Sequence, residues 1–138
     1  MYYDFFNVKE FIIDKNLMDI PLHVITKLEK FHKPIINPIR YRMNIPVYVS
    51  SNSGYRPKQW ELDNGRDGSS QHTFIGLGAV DYTSEDMDLL LHELRQSDYK
   101  RICYYPSENF VHCDHKGDDY NEFEVDKNGI WQYKGKRR

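Results

Sequence analysis

Cysteine is scarce in this chain. Two in 138 residues, Cys103 and Cys113, cannot build the disulfide framework of a small secreted domain; both fall on expected neighbouring strands, which leaves a pair geometrically possible, but free thiols in a reducing compartment are the expectation. No apolar run approaches the ~20 residues a membrane-spanning helix needs. An excess of one charge is also missing. Nineteen Lys and Arg against twenty-one Asp and Glu leave a formal charge of −2, which gives no bulk attraction to nucleic acid. The basic tail KGKRR reads as a solvated end. The N-terminus MYYDFFNVKEF carries an early acid and no uninterrupted apolar stretch. It is not a signal peptide of the usual kind, so synthesis in the cytoplasm is expected. Internal repeats and low-complexity segments are likewise absent.

What remains is a composition with 39% hydrophobic and 29% charged residues, that of a soluble globular chain. The length suits one domain, 1–138, able to bury a core without a covalent staple. Aromatic residues are abundant, with eleven tyrosines. They suit either a core of large side chains or a surface that binds sugar or peptide.

The first helical candidate is residues 4–17, packed by Phe5, Val8, Phe11 and Ile12. Residues 21–33 follow, with Leu22, Ile25, Leu28 and Phe31 on one face and Pro21 in the first turn. Pro34, Pro38 and Pro46 should then forbid a long helix. PVYVSS, 46–51, reads as a strand, and 52–71 as a long polar loop of the functional or disordered kind. GAVDY, 78–82, reads as a short buried strand. Thr83 or Ser84 should cap a helix over 84–97, with Met87, Leu90, Leu91 and Leu94 facing the core. KRICYYP (100–106) and ENFVHCD (108–114) read as strands joined by a tight turn. Residues 122–135 read as a hairpin turning at Asn-Gly. The order predicts an α+β fold: a small, mostly antiparallel sheet with helices packed on one side. Its core spans about 22–115, followed by the C-terminal hairpin.

Three positions could carry chemistry together. Asp81 lies in a buried strand, where an ionised carboxylate needs a partner: a metal, an arginine, or a helix to cap. His72 sits in a polar loop, where most histidines are merely solvated. FVHCDH, 110–115, alternates so that His112 and Asp114 share one face with Phe110, which could wall a pocket, while Cys113 and His115 take the other. Two imidazoles and one carboxylate from a loop and two strands form a three-ligand set with an open position, the pattern of catalytic zinc. The plain alternative is a buried His112 bonded to Asp114. His23, His32 and His92 read as surface residues. Arg56, held by Pro57, offers a planar fork suited to a carboxylate, either of a substrate or of the protein itself.

SGYRP (53–57), SQH (70–72), GLGAVD (76–81) and YYPSENFVHCD (104–114) occur in this order. Together they resemble the zinc DD-peptidase superfamily: D-Ala-D-Ala carboxypeptidases, murein endopeptidases and phage endolysins, whose fold is shared by hedgehog signalling domains. The resemblance covers about residues 22–115, and its strength lies in the combination of motifs. It implies that His72, Asp81 and His112 hold Zn²⁺ and that Arg56 and Ser70 help hold substrate. The expected reaction is hydrolysis of a peptide bond in the peptidoglycan stem peptide, by a monomer acting on the cell wall, as a phage lysin would. Two features depart from the family pattern. Eight residues, TFIGLGAV, separate His72 from Asp81, more than the family commonly has, and a bulge before the strand would absorb them. Asn109 stands where many members carry the acid that acts as general base. Asp114 and Glu108 are then the catalytic carboxylate candidates, with Glu108 on the opposite face if the strand is regular. A chain with zinc but no working base would instead be a binding or virion-structural module on the same fold.

Overall fold

A computed structural model describes residues 3–13, 19–51 and 53–138. The fold is α+β, with a few helices and an open six-stranded sheet in the order β1-β2-β4-β3-β5-β6. The strands are β1 (Val47–Val49), β2 (Ala79–Ser84), β3 (Arg101–Tyr105), β4 (Phe110–Asp114), β5 (Asn121–Val125) and β6 (Trp131–Lys136). Neighbours pair antiparallel, except β3 and β5, which run parallel.

Alternation along the strands divides the work of the sheet. Val80, Tyr82, Ile102, Val111 and Cys113 belong to the buried apolar cluster, with Ile36 and Ile39 of α2 (Lys33–Met43) and Leu90 and Leu94 of α4 (Met87–Arg95). The intervening residues, Asp81, Arg101, Cys103, His112 and Asp114, point to the other face. Cys103 and Cys113 are both free and project from opposite faces, so adjacency of their strands does not bring the thiols together. α4 is shorter than expected, and its N-cap is Asp86 rather than Thr83 or Ser84. The Asp86 carboxylate accepts from Leu89 N–H at 3.0 Å.

The first helices differ from expectation in an instructive way. α1 (Leu22–Lys27), a π turn (Leu28–His32) and α2 form one run of helical backbone despite Pro34 and Pro38. Pro34 lies in the first turn of α2, just past the π turn, where a missing N–H costs little. Pro38 stands inside α2, and packing on the sheet carries the helix across the lost bond. The buried face is Val24, Leu28, His32, Ile36 and Ile39, whereas Leu22 is exposed. A spacing near four, not three, follows the helix. Of the segment 4–17, the described residues 4–13 form only a 3₁₀ turn, Val8–Phe11, with Phe11 and Ile12 buried and Phe5 exposed; 14–17 lie outside the described residues.

The stretch expected as loop contains α3 (Lys58–Asp63) and a 3₁₀ turn (Gln71–Thr73). The eight residues between His72 and Asp81 are not absorbed by a bulge, because β2 pairs with β4 without a register shift from Ala79 to Tyr82. The chain instead reverses at Phe74, φ 60°, and buries that ring in the core.

Candidate metal centre

Register creates the first half of the site. Asp81 of β2 lies directly opposite His112 of β4, so both side chains leave the same face as neighbours. Asp81 Oδ1 and His112 Nδ1 are 3.0 Å apart. Ser53 fixes the backbone at this point, accepting from Asp81 N–H and donating to Asp81 O.

The 3₁₀ turn brings the third side chain. Ser70 caps the turn by accepting from His72 N–H at 3.2 Å, and Arg56 N–H donates to His72 O at 2.8 Å. His72 Nδ1 donates to Gly54 O at 2.9 Å. Gly54 is obligatory for this arrangement: its φ is 75°, and a Cβ would stand 2.0 Å from Phe11 O. His72 Nε2 then lies 3.3 Å from Asp81 Oδ1 and 3.2 Å from His112 Nδ1. The ligand atoms of His72, Asp81 and His112 all lie within 4.8 Å of one another, and the three residues are buried. This group could hold a metal ion.

The outer hydrogen bonds determine what the inner atoms are. Bonding of His72 Nδ1–H to a carbonyl leaves its Nε2 as an acceptor. His112 Nε2 lies 2.7 Å from Asp114 Oδ2 and donates to it, which leaves Nδ1 as an acceptor. With His112 neutral, two nitrogen lone pairs and a carboxylate oxygen converge, a donor set that fits a divalent cation. Without a metal, a proton on His112 takes that place, and its Nδ1–H donates to Asp81 Oδ1.

Asp114 is committed to orienting His112. It is fully buried and also accepts from Lys116 N–H. Arg101 grips it through two bonds, Nε to Oδ1 at 2.9 Å and Nη2 to Oδ2 at 2.5 Å. Burial works against ionisation of Asp114, but the His112 and Arg101 hydrogen bonds outweigh it and hold the carboxyl below its ordinary range. Burial likewise opposes the charge on Asp81, and the two imidazoles reverse the balance. Burial also disfavours a charged His112, yet its bonds to Asp114 and Asp81 push the imidazole up to about 9 in the absence of metal.

The trio lies on a cleft of about 740 Å³ whose other lining includes Arg56, Arg66, Ser70, Glu108, Phe110 and Trp131. Phe110 stacks on Tyr105 with ring centroids 4.3 Å apart, as a wall would. Glu108 reaches the cleft because the strand is not regular there. Asn109 has φ 55° and β4 begins only at Phe110, so alternation does not carry Glu108 to the opposite face. Arg56 is 6% exposed, and its Nη1 lies 3.9 Å from Glu61 Oε2, too far for a hydrogen bond.

Several contributors escape the sequence. Arg101 is the most readable in hindsight, since it pairs with Asp114 across the β3–β4 hairpin. Trp131 arrives from the C-terminal hairpin, 5.3 Å from the His112 ring and 4.9 Å from the Arg101 guanidinium, with Nε1–H donating to Tyr105 OH. Glu61 sits in an otherwise polar stretch with nothing to announce its burial. His32 is a correction: it is fully buried, whereas His23 and His92 are exposed. Its Nε2 donates to Leu77 O and its Nδ1 accepts from Tyr99 OH, each at 2.8 Å.

Comparison with known protein families, with curated proteins and with solved structures finds no match to this chain.

Proposed function

We propose that this chain is a zinc-dependent peptidase of the DD-peptidase and hedgehog-like type, hydrolysing a peptide bond in bacterial peptidoglycan in the manner of a phage lysin. One observation carries the proposal: three candidate ligand atoms converge at the side of an open cleft, with the outer hydrogen bonds of both imidazoles already made. A structural zinc site would be closed by a fourth protein ligand, whereas catalytic sites keep a position free.

Zn²⁺ bound by His72, Asp81 and His112 would supply a Lewis acid for the scissile carbonyl and a water of lowered pKa. The chain's own groups divide the remaining work. Asp114, saturated by His112, Arg101 and Lys116 N–H, positions a ligand. The Glu108 carboxylate lines the cleft with no hydrogen bond or ion pair among the described residues, and is the group that would take a proton and return it to the leaving amine. Arg56 would hold a substrate carboxylate, and Ser70 would add a hydroxyl beside it.

Digestion of purified sacculi, with released peptides identified by mass, tests this directly. The zinc-loaded wild type is expected to release stem-peptide fragments. Glu108→Gln is expected to lose about 10²–10⁴-fold in rate while keeping its metal. A second possibility, a metal-bound binding or virion-structural module, has Asn109 in its favour, because the acid is missing from the usual position. Zinc-loaded protein that releases no fragment would select that alternative.

A further inference from the structure

α3 ends at the margin of the metal cleft, and the way it ends has a consequence. Gly65 adopts φ 76°, its N–H donates to Leu62 O at 3.1 Å, and Arg66 N–H donates to Glu61 O at 2.9 Å. These are the two bonds of a Schellman stop. The reversal turns Arg66 back along the helix it has just left, and its Nε comes within 3.4 Å of Glu61 Oε2. Arg56, just before α3, approaches the same oxygen at 3.9 Å. Both guanidiniums stand 5.6 Å from the Trp60 ring, which holds them as a pair.

Two guanidiniums share the one Glu61 carboxylate. Asp81 is a further acid acting on Arg56, whereas the shared Glu61 is the only ion-pair partner of Arg66 among the described residues, and both arginines line the cleft. Hydrogen bonding in this cluster is incomplete. Among the described residues, Glu61 is fully buried with neither carboxylate oxygen hydrogen-bonded, and Arg56 is 6% exposed with Nε unpartnered. Glu61 therefore gathers the two forks without saturating them. Each guanidinium keeps donors in the planar arrangement that matches a carboxylate. Arg66, about half exposed, extends the pair toward solvent.

We infer that Arg66 is a second carboxylate-recognising residue, so that the cleft favours a ligand with two carboxylates a few bonds apart, such as an acidic amino-acid residue with its own carboxylate free. This deepens the peptidase proposal and rests on it for the location of the substrate. Binding can be measured without turnover, which separates the two ideas. The probes are N-acetyl-D-glutamate, with two carboxylates, and N-acetyl-D-glutamine, with one, titrated into the chain and followed by NMR chemical shifts.

The wild type is expected to bind the diacid about tenfold more tightly than the amide, the scale of one charge-assisted pair. Arg66→Gln should bind both probes equally, with its affinity for the amide unchanged. Arg66→Lys, which keeps charge but loses the fork, should fall between. A wild type that does not distinguish the probes, by binding both alike or neither, overturns the inference, as does a preference that survives in Arg66→Gln. A diacid preference without sacculus digestion would sink the peptidase proposal alone, and digestion without the preference would sink this one alone.

Discussion

His72 Nε2, Asp81 Oδ1 and His112 Nδ1 crowd together at 3.0–3.3 Å because each side chain is held from behind. Gly54 O holds His72, Ser53 brackets the Asp81 backbone, and Asp114 with Arg101 holds His112. The side-chain hydrogen bonds of Arg101 go to Asp114, so its effect on metal passes through that carboxylate. Arg101→Met is expected to lower metal affinity about 10–100-fold without loss of fold, the usual range for a partner behind a ligand. Competition with a chromophoric chelator measures it, and an unchanged affinity would show that Asp114 orients His112 unaided. The trio itself is legible in the sequence because its motif order and strand alternation are both local signals. Arg101 and Glu61 are not, since their importance comes from a cross-strand pairing and a burial that only the folded chain creates.

The strands follow the sequence closely: β-branched and aromatic runs ending in turn residues mark β1 to β4, and Asn-Gly marks the β5–β6 hairpin. The helices do so less well. Three prolines argue for a break after residue 33, yet the π turn lets helical backbone continue to Met43. That turn also places His32 in the core, where a helical wheel of period three would not look. Tyr82 OH and Tyr99 OH are 2.7 Å apart, and together with His32 they make a hydrogen-bonded chain ending on Leu77 O, in the loop between two metal-ligand candidates. Burial, the largest influence, pushes the His32 imidazole down to about 3, with the neighbouring His115 and His72 adding to the effect. A folded value below the unfolded ~6.5 means that acid favours unfolding. The stability contributed by neutral His32 is complete above pH ~6.5 and is lost as pH falls toward 3. His32→Gln, whose amide still donates but does not titrate, is expected to flatten the acid slope of unfolding free energy by up to ~1.4 kcal/mol per pH unit between pH 6 and 4. Urea titrations across that range measure the slope, and an identical slope in both proteins would mean that His32 is not what acid attacks.

The sheet as a whole keeps two chemistries apart. One face packs Val80, Tyr82, Ile102, Val111 and Cys113 against α2 and α4, and the other presents acids, imidazoles and arginines to the cleft. Segments distant in the chain complete that second face: the Gly54–Thr73 stretch supplies His72 and the arginines, and the terminal hairpin supplies Trp131 against His112 and Arg101. A polar concavity on a rigid sheet suits a bound cation with room for a substrate beside it. The most direct test is the divalent-metal content of the purified chain, before and after reconstitution with zinc, in the wild type and in His72→Ala, Asp81→Ala and His112→Ala. One ion per chain in the wild type and none in the three variants is the expected result. A wild type that stays metal-free after reconstitution, or variants that keep the ion, would contradict it.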